Sequence, residues 1–351
     1  MKLSGHAPAL DGVRGVAALL VLVGHLGNRE LFLVPGVAHD LLGKPGVWLF
    51  FALSAFLLTA RLTEELEQTA DARGALAAYA LNRVFRIYPL YSIVIGVHWW
   101  LGDFTPAVAL RHLVLLSGWR ELWAIPVEFS YYFVIPLIAA FAVRFGRWRA
   151  LQALWAALVL AFLFNLAGPQ FVFRDSGLIH GKLVPFFAGS IAGILALERG
   201  EAPVTPWRRV VLPGLVLVGF ALASEGYRAL ALQQIQLGFR ISVSGISLAL
   251  SALAALLISL SLELNWLGRL MGSAPLAFFG RVSFSLYLWH EPIIQRARAL
   301  EPETGAVTLA WLCFAACTLA AWLSYRVIER PGMELGRRLG RALRERALAV
   351  A

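Results

Sequence analysis

The run Leu10-Asp11-Gly12-Val13-Arg14-Gly15-Val16-Ala17-Ala18-Leu19-Leu20-Val21-Leu22-Val23-Gly24-His25 is apolar enough to lie in a bilayer, yet it carries a guanidinium and an imidazole. Arg14 and His25 stand eleven positions apart. Three helical turns take about 10.8 residues, so a helix sets both on one stripe, roughly 16 Å apart along its axis. Asp11, Ala18 and Leu22 fall on or beside that stripe. Polar groups of this kind are costly within a membrane and mark functional paths. Taken singly, Arg14 also reads as an interfacial anchor and His25 as a snorkelling side chain. The pair, at opposite ends of one stripe, favours function.

Working outward, composition agrees with a membrane setting. The 351 residues are 59% hydrophobic and 15% charged, with a mean hydropathy of +0.72. An ordinary soluble domain carries about 25% charged residues. The expected fold class is therefore all-α, a polytopic transmembrane helical bundle. The first 25 residues do not resemble a cleavable signal, because Arg14 interrupts them and no small-x-small site follows. They are expected to stay as the first span. Cys313 and Cys317 lie one helical turn apart and read as small buried hydrophobes.

Ten apolar segments can be drawn, near 10–27, 45–60, 87–101, 122–143, 150–167, 183–198, 209–224, 241–262, 274–295 and 307–328. The polar stretch from Thr63 to Arg86 is the longest interruption. No repeat, linker or appended soluble domain is visible. A span domain over 1–335 and a basic amphipathic tail over 336–351 are expected, the tail lying on the anionic inner membrane surface. A net charge of +10 raises nucleic acid as a partner, but Lys and Arg cluster in short loops, which argues for a bilayer and no nucleic acid. With the amino terminus inside, twenty-one of these cations fall on the inner side and ten on the outer. This bias predicts both termini inside.

That topology sorts the buried polar groups by depth. His25, Glu128 and His290 fall towards the outer side; Arg14, Arg83, Arg86 and Arg281 fall at the inner end. The pattern suggests an anion-binding mouth inside and acid/base chemistry further out. Each residue has a plainer reading. Glu128 follows Pro126 at a helix start and would suit the helix dipole. Arg83 and Arg86 would suit an interface. Trp123 and Tyr287 would suit aromatic belts, and Ser54 a back-bonded helix position. No His/Cys/carboxylate cluster has the usual metal spacing, so no metal is expected. No Gly-x-Ser-x-Gly elbow appears, which speaks against a serine hydrolase.

These residues resemble the membrane-bound acyltransferase family 3, multi-span O-acyltransferases of cell-surface sugars and some antibiotics. Arg14 and His25 look like its opening motif. Phe50 to Phe56 is similar to its second-span motif, with Ala55 where Gly is commoner. Arg83-Val84-Phe85-Arg86 resembles its Arg-x-x-Arg segment, and Trp123 to Glu128 with Tyr131 and Tyr132 its Trp/Glu/Phe-Tyr motif. Ser283 to His290 resembles its Ser-Tyr-Ser-Leu-Tyr-Leu-Trp-His run, with Phe284 for Tyr. Ile328-Glu329-Arg330-Pro331 is similar to its closing Glu-x-Pro. Six motifs in family order span almost the whole chain.

The resemblance implies transfer of an acyl group, usually acetyl, from cytosolic acyl-CoA to a carbohydrate hydroxyl. It also implies ten spans in a bacterial inner membrane with both termini cytoplasmic. Some relatives carry an extra periplasmic hydrolase-like domain; none is visible here, so that second transfer is expected to be absent or supplied in trans. Arg83 and Arg86 would clamp the CoA phosphates. Arg14 would bind the donor or stabilise developing negative charge. His25 would act as general base, with Glu128 orienting it or holding the sugar. Trp123, Ser54, Tyr287 and His290 are expected to bind substrate. Direct transfer and an acyl-histidine intermediate both remain open. A sugar or lipid transporter is the rival reading, since polar midplane residues suit it equally.

Overall fold

The computed structural model describes residues 7–35, 37, 39–116, 118, 120–167, 182–198, 205–233 and 237–350. Lys2, Arg174 and Arg199, counted above for charge bias, lie outside the described residues. No strand occurs among the described residues, and the chain runs almost entirely as helix. α1 (Pro8–Gly27) starts on a proline, whose missing N–H costs nothing in a first turn. There follow α2 (Gly43–Gln68), α3 (Ala72–Trp100), the short α4 (Pro106–Leu113), α5 (Ala124–Phe145), α6 (Arg147–Ala167), α7 (Leu183–Glu198), α8 (Pro206–Gln233) and α9 (Leu237–Ser261). Three shorter helices, α10 (Trp266–Met271), α11 (Ala274–Arg281) and α12 (Ser283–Ala297), precede the one-turn α13 (Glu301–Thr304), α14 (Ala306–Ser324) and α15 (Arg330–Val350).

Seven helices are long and apolar enough to cross a membrane: α1, α2, α5, α6, α8, the apolar part of α9, and the rod beginning with α14. The shorter α7 is apolar over its whole length. An all-α multi-span bundle is thus what the chain forms. α2 is its axis, with 78% of its most apolar window buried, against 22% for α8 at the periphery. The periphery is inside-out by the standards of a soluble protein. Trp155, Leu160, Leu163 and Phe164 on α6, and Leu215, Val218 and Leu222 on α8, are exposed large hydrophobics. Lipid is the solvent such a surface suits, since the helices already satisfy their own backbone groups.

Two segments have a shape that the apolar pattern did not show. The polar stretch from Thr63 to Arg86 is helical over most of its length: α2 continues to Gln68 and α3 begins at Ala72, where Asp71 caps Gly74 N–H at 2.8 Å. Charged residues here ride on helices that extend past the apolar windows. The segment at 274–295 is broken in two at Val282. There α11 presses onto α1 so closely that a Cβ at Gly15 or Gly280 would overlap backbone oxygen of the facing helix, as one at Gly12 would that of Met271 in α10. Small residues allow such approach between membrane helices.

The basic tail belongs to a longer helix. The boundary at 335/336 falls inside α15, which continues α14 through a π-turn at Tyr325–Glu329. α15 docks on α3 with Gly332 and Gly336 against Phe85 and Gly340 against Ala78. Arg344 pairs with Glu65 of α2. The tail is held by protein contacts as well as being basic. Cys313 and Cys317 are buried and unbridged, as expected.

Candidate active site

Five helices meet around a first chamber lined by Arg14 (α1), Ser54 (α2), Arg83 and Arg86 (α3), Glu128 and Tyr132 (α5), and Ser283 and Tyr287 (α12). We call it the arginine chamber. One oxygen of Glu128 accepts from Ser54 Oγ at 2.6 Å and from Tyr132 OH at 2.8 Å. The carboxylate is thus fixed in place. Arg14 donates to Asp11 Oδ1 at 3.2 Å and lies near enough to Arg86, Arg61 and Glu128 to feel each charge. Arg83 lies over the Tyr132 ring at 5.7 Å, and its buried Nε has no partner. Arg86 pairs with Glu329, which the π-turn swings inward, and Ser285 Oγ donates to the other Glu329 oxygen at 2.6 Å. The enclosed space is about 100 Å³.

A second, larger space of about 320 Å³ is lined by His25, Asn28 and Arg29 at the end of α1, Gly43, Lys44 and Val47 of α2, Trp123, and Tyr287 and Glu291 of α12. We call it the histidine chamber. His25 Nδ1 lies 3.3 Å from Glu291 Oε2, and Arg29 pairs with the other oxygen of the same carboxylate. A carboxylate can only accept, so Nδ1 carries the proton and Nε2 is left as the basic atom. Gly43 keeps room beside it: a Cβ there would stand 3.5 Å from His25 Nε2 and 3.3 Å from Cδ2. His290 packs edge-on against His25, with ring centroids 4.6 Å apart, and its Nδ1 donates to the Tyr287 carbonyl at 2.6 Å.

The two chambers abut. Val47 and Tyr287 line both, so the stripe on α1 that carries Arg14 and His25 runs from one chamber to the next. The sequence reading placed Arg14, Ser54, Arg83, Arg86, Glu128, Trp123, Tyr287 and His25 around one path, and the fold brings all eight to its walls. Two expected roles change. Glu128 does not orient His25; it is in the arginine chamber, and Glu291 takes the orienting position. His290 is 0% exposed, so it backs His25 instead of lining the space. Glu291, Arg29, Lys44 and Glu329 were not singled out as site residues. Glu291 was findable as a carboxylate next to His290 within an apolar segment.

Among the described residues, His25, His290 and Glu291 form one group whose ligand atoms, all within 4.8 Å of one another, could hold a metal ion. The trio comes from two helices, so sequence spacing had no means of showing it. Its carboxylate already holds a guanidinium and an imidazole, which reads the trio as an orienting network.

Comparison with known proteins agrees with this geometry. An O-acetyltransferase, OatA, of Staphylococcus aureus (strain NCTC 8325 / PS 47) is 24% identical over 366 residues, covering 93% of this chain and 57% of its own. A protein of Staphylococcus aureus (strain COL), named for the same activity, is 22% identical over 364 residues with the same coverage. The chain therefore spans little more than half the length of the curated relatives it matches. No solved structure matches. The profile of the acyltransferase domain, the third acyltransferase family, matches residues 8–326. With both chambers inside that stretch, the chain belongs to the acyltransferase 3 family.

Proposed function

We propose that this protein is an integral-membrane O-acyltransferase that moves an acyl group, acetyl in the first instance, from acyl-CoA to a carbohydrate hydroxyl. The observation that carries this reading is the pair of abutting chambers, one rich in arginine and the other built around an oriented histidine. The twenty-one-to-ten charge bias supports an orientation in a bacterial inner membrane with the arginine chamber and both termini on the cytoplasmic side.

Acyl-CoA meets Arg83, with Arg61 close by, at the cytoplasmic mouth. Its phosphates are matched there by charge-assisted hydrogen bonds. The acylated arm of the donor threads past Arg14 towards Tyr287, which lines both chambers. Arg86, already committed to Glu329, shapes the mouth and adds positive potential. The acceptor hydroxyl enters the histidine chamber. His25 Nε2 takes its proton as the oxygen bonds to the thioester carbonyl carbon. The carbon–sulfur bond then breaks, and the departing CoA thiolate takes the proton back from His25. Glu291 stabilises the imidazolium that forms in between, as a triad carboxylate does. A transporter needs a polar path but no such orientation of one ring nitrogen.

The test uses purified protein in liposomes with acetyl-CoA and a panel of glycans, read by thiol release and mass spectrometry of the glycans. Acceptor-dependent thiol release with mass added to a glycan supports the reading. Movement of a glycan across the membrane with no thiol released would replace it with transport.

A further inference from the structure

Ser130, Ser224, Ser251, Ser261 and Ser324 each donate to the carbonyl oxygen four residues earlier, at 2.7 or 2.8 Å. Back-bonding of this kind satisfies a hydroxyl inside an apolar helix bundle. Ser54 and Ser285 instead reach a carboxylate, each at 2.6 Å. Ser283, the first residue of α12 just past the break at Val282, does neither. It is 1% exposed, and its Oγ is buried without a hydrogen-bond partner. A buried hydroxyl left unpaired costs free energy, so it calls for an explanation. Among the described residues Ser244 of α9 is the other serine in this condition, and it lines neither chamber. Ser283 lines the arginine chamber, whose wall holds a second buried donor without a partner, Arg83 Nε.

The height of Ser283 along the path follows from the helices that flank it. Gly15 of α1 packs on Gly280, just before α12, and His25 of α1 meets Glu291 on α12. Ser283 therefore lies between the level of Arg14 and that of Tyr287. Ser283, Tyr287 and Glu291 follow one another at four-residue steps, about 6 Å apart along one face of the helix. In a pantetheine thioester four bonds separate the sulfur from the nearest amide carbonyl carbon, about 5 Å of extended chain. With the thioester at Tyr287 and the acceptor hydroxyl at His25, that amide falls at the level of Ser283. Phe50, Ile87 and Ile125 line the same chamber and give the arm's methylenes an apolar wall.

We propose that Ser283 binds the acyl donor by donating its hydroxyl to the amide carbonyl nearest the thioester in the pantetheine arm. This rests on the acyl-CoA reading of the arginine chamber and adds to it a group that recognises the uncharged arm. Arginine at the mouth meets the phosphates, which any nucleotide carries. Ser283 meets an amide at a fixed distance from the sulfur, which a pantetheine thioester carries and a nucleotide alone does not. Its contribution is to donor binding, ahead of the proton transfer at His25.

The experiment is isothermal titration of the purified protein in lipid nanodiscs with CoA and with a CoA analogue in which this one amide is replaced by two methylenes. Both ligands keep every phosphate, and no acceptor is needed. CoA should bind about ten-fold more tightly, because the analogue leaves the Ser283 hydroxyl unpaired. Ser283→Ala should weaken CoA by about that factor and leave the analogue nearly unchanged, so that the two ligands become alike. The ratio should hold as salt rises, since neither partner in the bond is charged, whereas an effect carried by arginine would fade. Equal affinity of the wild-type protein for the two ligands, a comparison that needs no variant, overturns the proposal and leaves the acyl-CoA reading standing. A preference that survives unchanged in well-folded Ser283→Ala overturns it too. Failure of CoA to bind at all would sink the acyl-CoA reading itself.

Discussion

The two chambers use charge in opposite ways. The lining of the arginine chamber itself holds three arginines, Arg14, Arg83 and Arg86, and one carboxylate, Glu128. Arg83 keeps a buried Nε without a partner, Arg14 and Arg61 lie close by, and Glu128 is tied to Ser54 and Tyr132. Such a site holds a polyanion and tolerates small displacements, since attraction between charges falls slowly with distance. In the histidine chamber each Nδ1 has an assigned partner, Glu291 for His25 and the Tyr287 carbonyl for His290. That precision suits proton transfer, which fails when a ring turns over or shifts. On the proposed reading, donor binding lies on one side of Tyr287 and proton transfer on the other, and substitutions should separate along the same line.

The largest separation is expected at His25. His25→Ala should lower kcat by roughly 10²–10⁴-fold, the usual worth of a general base, with acetyl-CoA affinity near wild type. A variant that is well folded and fully active would assign the base elsewhere. Glu291→Gln comes next. It removes the charge that stabilises protonated His25 and replaces a pure acceptor by an amide that also donates, so the tautomer is no longer fixed, and about 10²-fold in kcat is expected. If the loss appears in the KM for acetyl-CoA instead, Glu291 belongs with binding and the division between the chambers fails.

Arg83→Ala should behave in the reverse sense. Loss of one charge-assisted hydrogen bond, worth about 1.5–3 kcal/mol, raises the Kd for CoA about ten-fold or more. The effect should weaken as salt rises, and isothermal titration with CoA alone reads it. Gly43→Ala is the mildest. Its methyl would stand 3.3 Å from His25 Cδ2, pushing the ring by a few tenths of an ångström. A decrease of roughly two- to five-fold in kcat, with the donor KM unchanged, is expected.

How much of this was legible in the sequence depended on whether the informative signal was local. The ends of α7 fall where the apolar segment at 183–198 ends, because hydropathy marks that helix along its whole length. The polar stretch at Thr63–Arg86 did not show its helices, because hydropathy reports contact with lipid, and helices leaving the membrane remain helices. The break at Val282 depends on how closely α11 meets α1, which no single-segment pattern encodes. Arg14 and His25 stood out because both lie on α1, a spacing that can be counted. The partner of His25 could not be counted, since Glu291 is 266 positions away. Glu329 was visible only as part of a motif. Its pairing with Arg86 depends on the π-turn.

The most direct measurement places donor and acceptor on chosen sides of a sealed membrane. Liposomes carrying the protein are loaded with labelled acetyl-CoA, the acceptor glycan is supplied outside, and labelled glycan is counted. A path that passes from the arginine chamber to the histidine chamber predicts product when the two substrates are on opposite sides and none when both are outside. Product formed only when donor and acceptor share a side would contradict transfer across the boundary at Val47 and Tyr287.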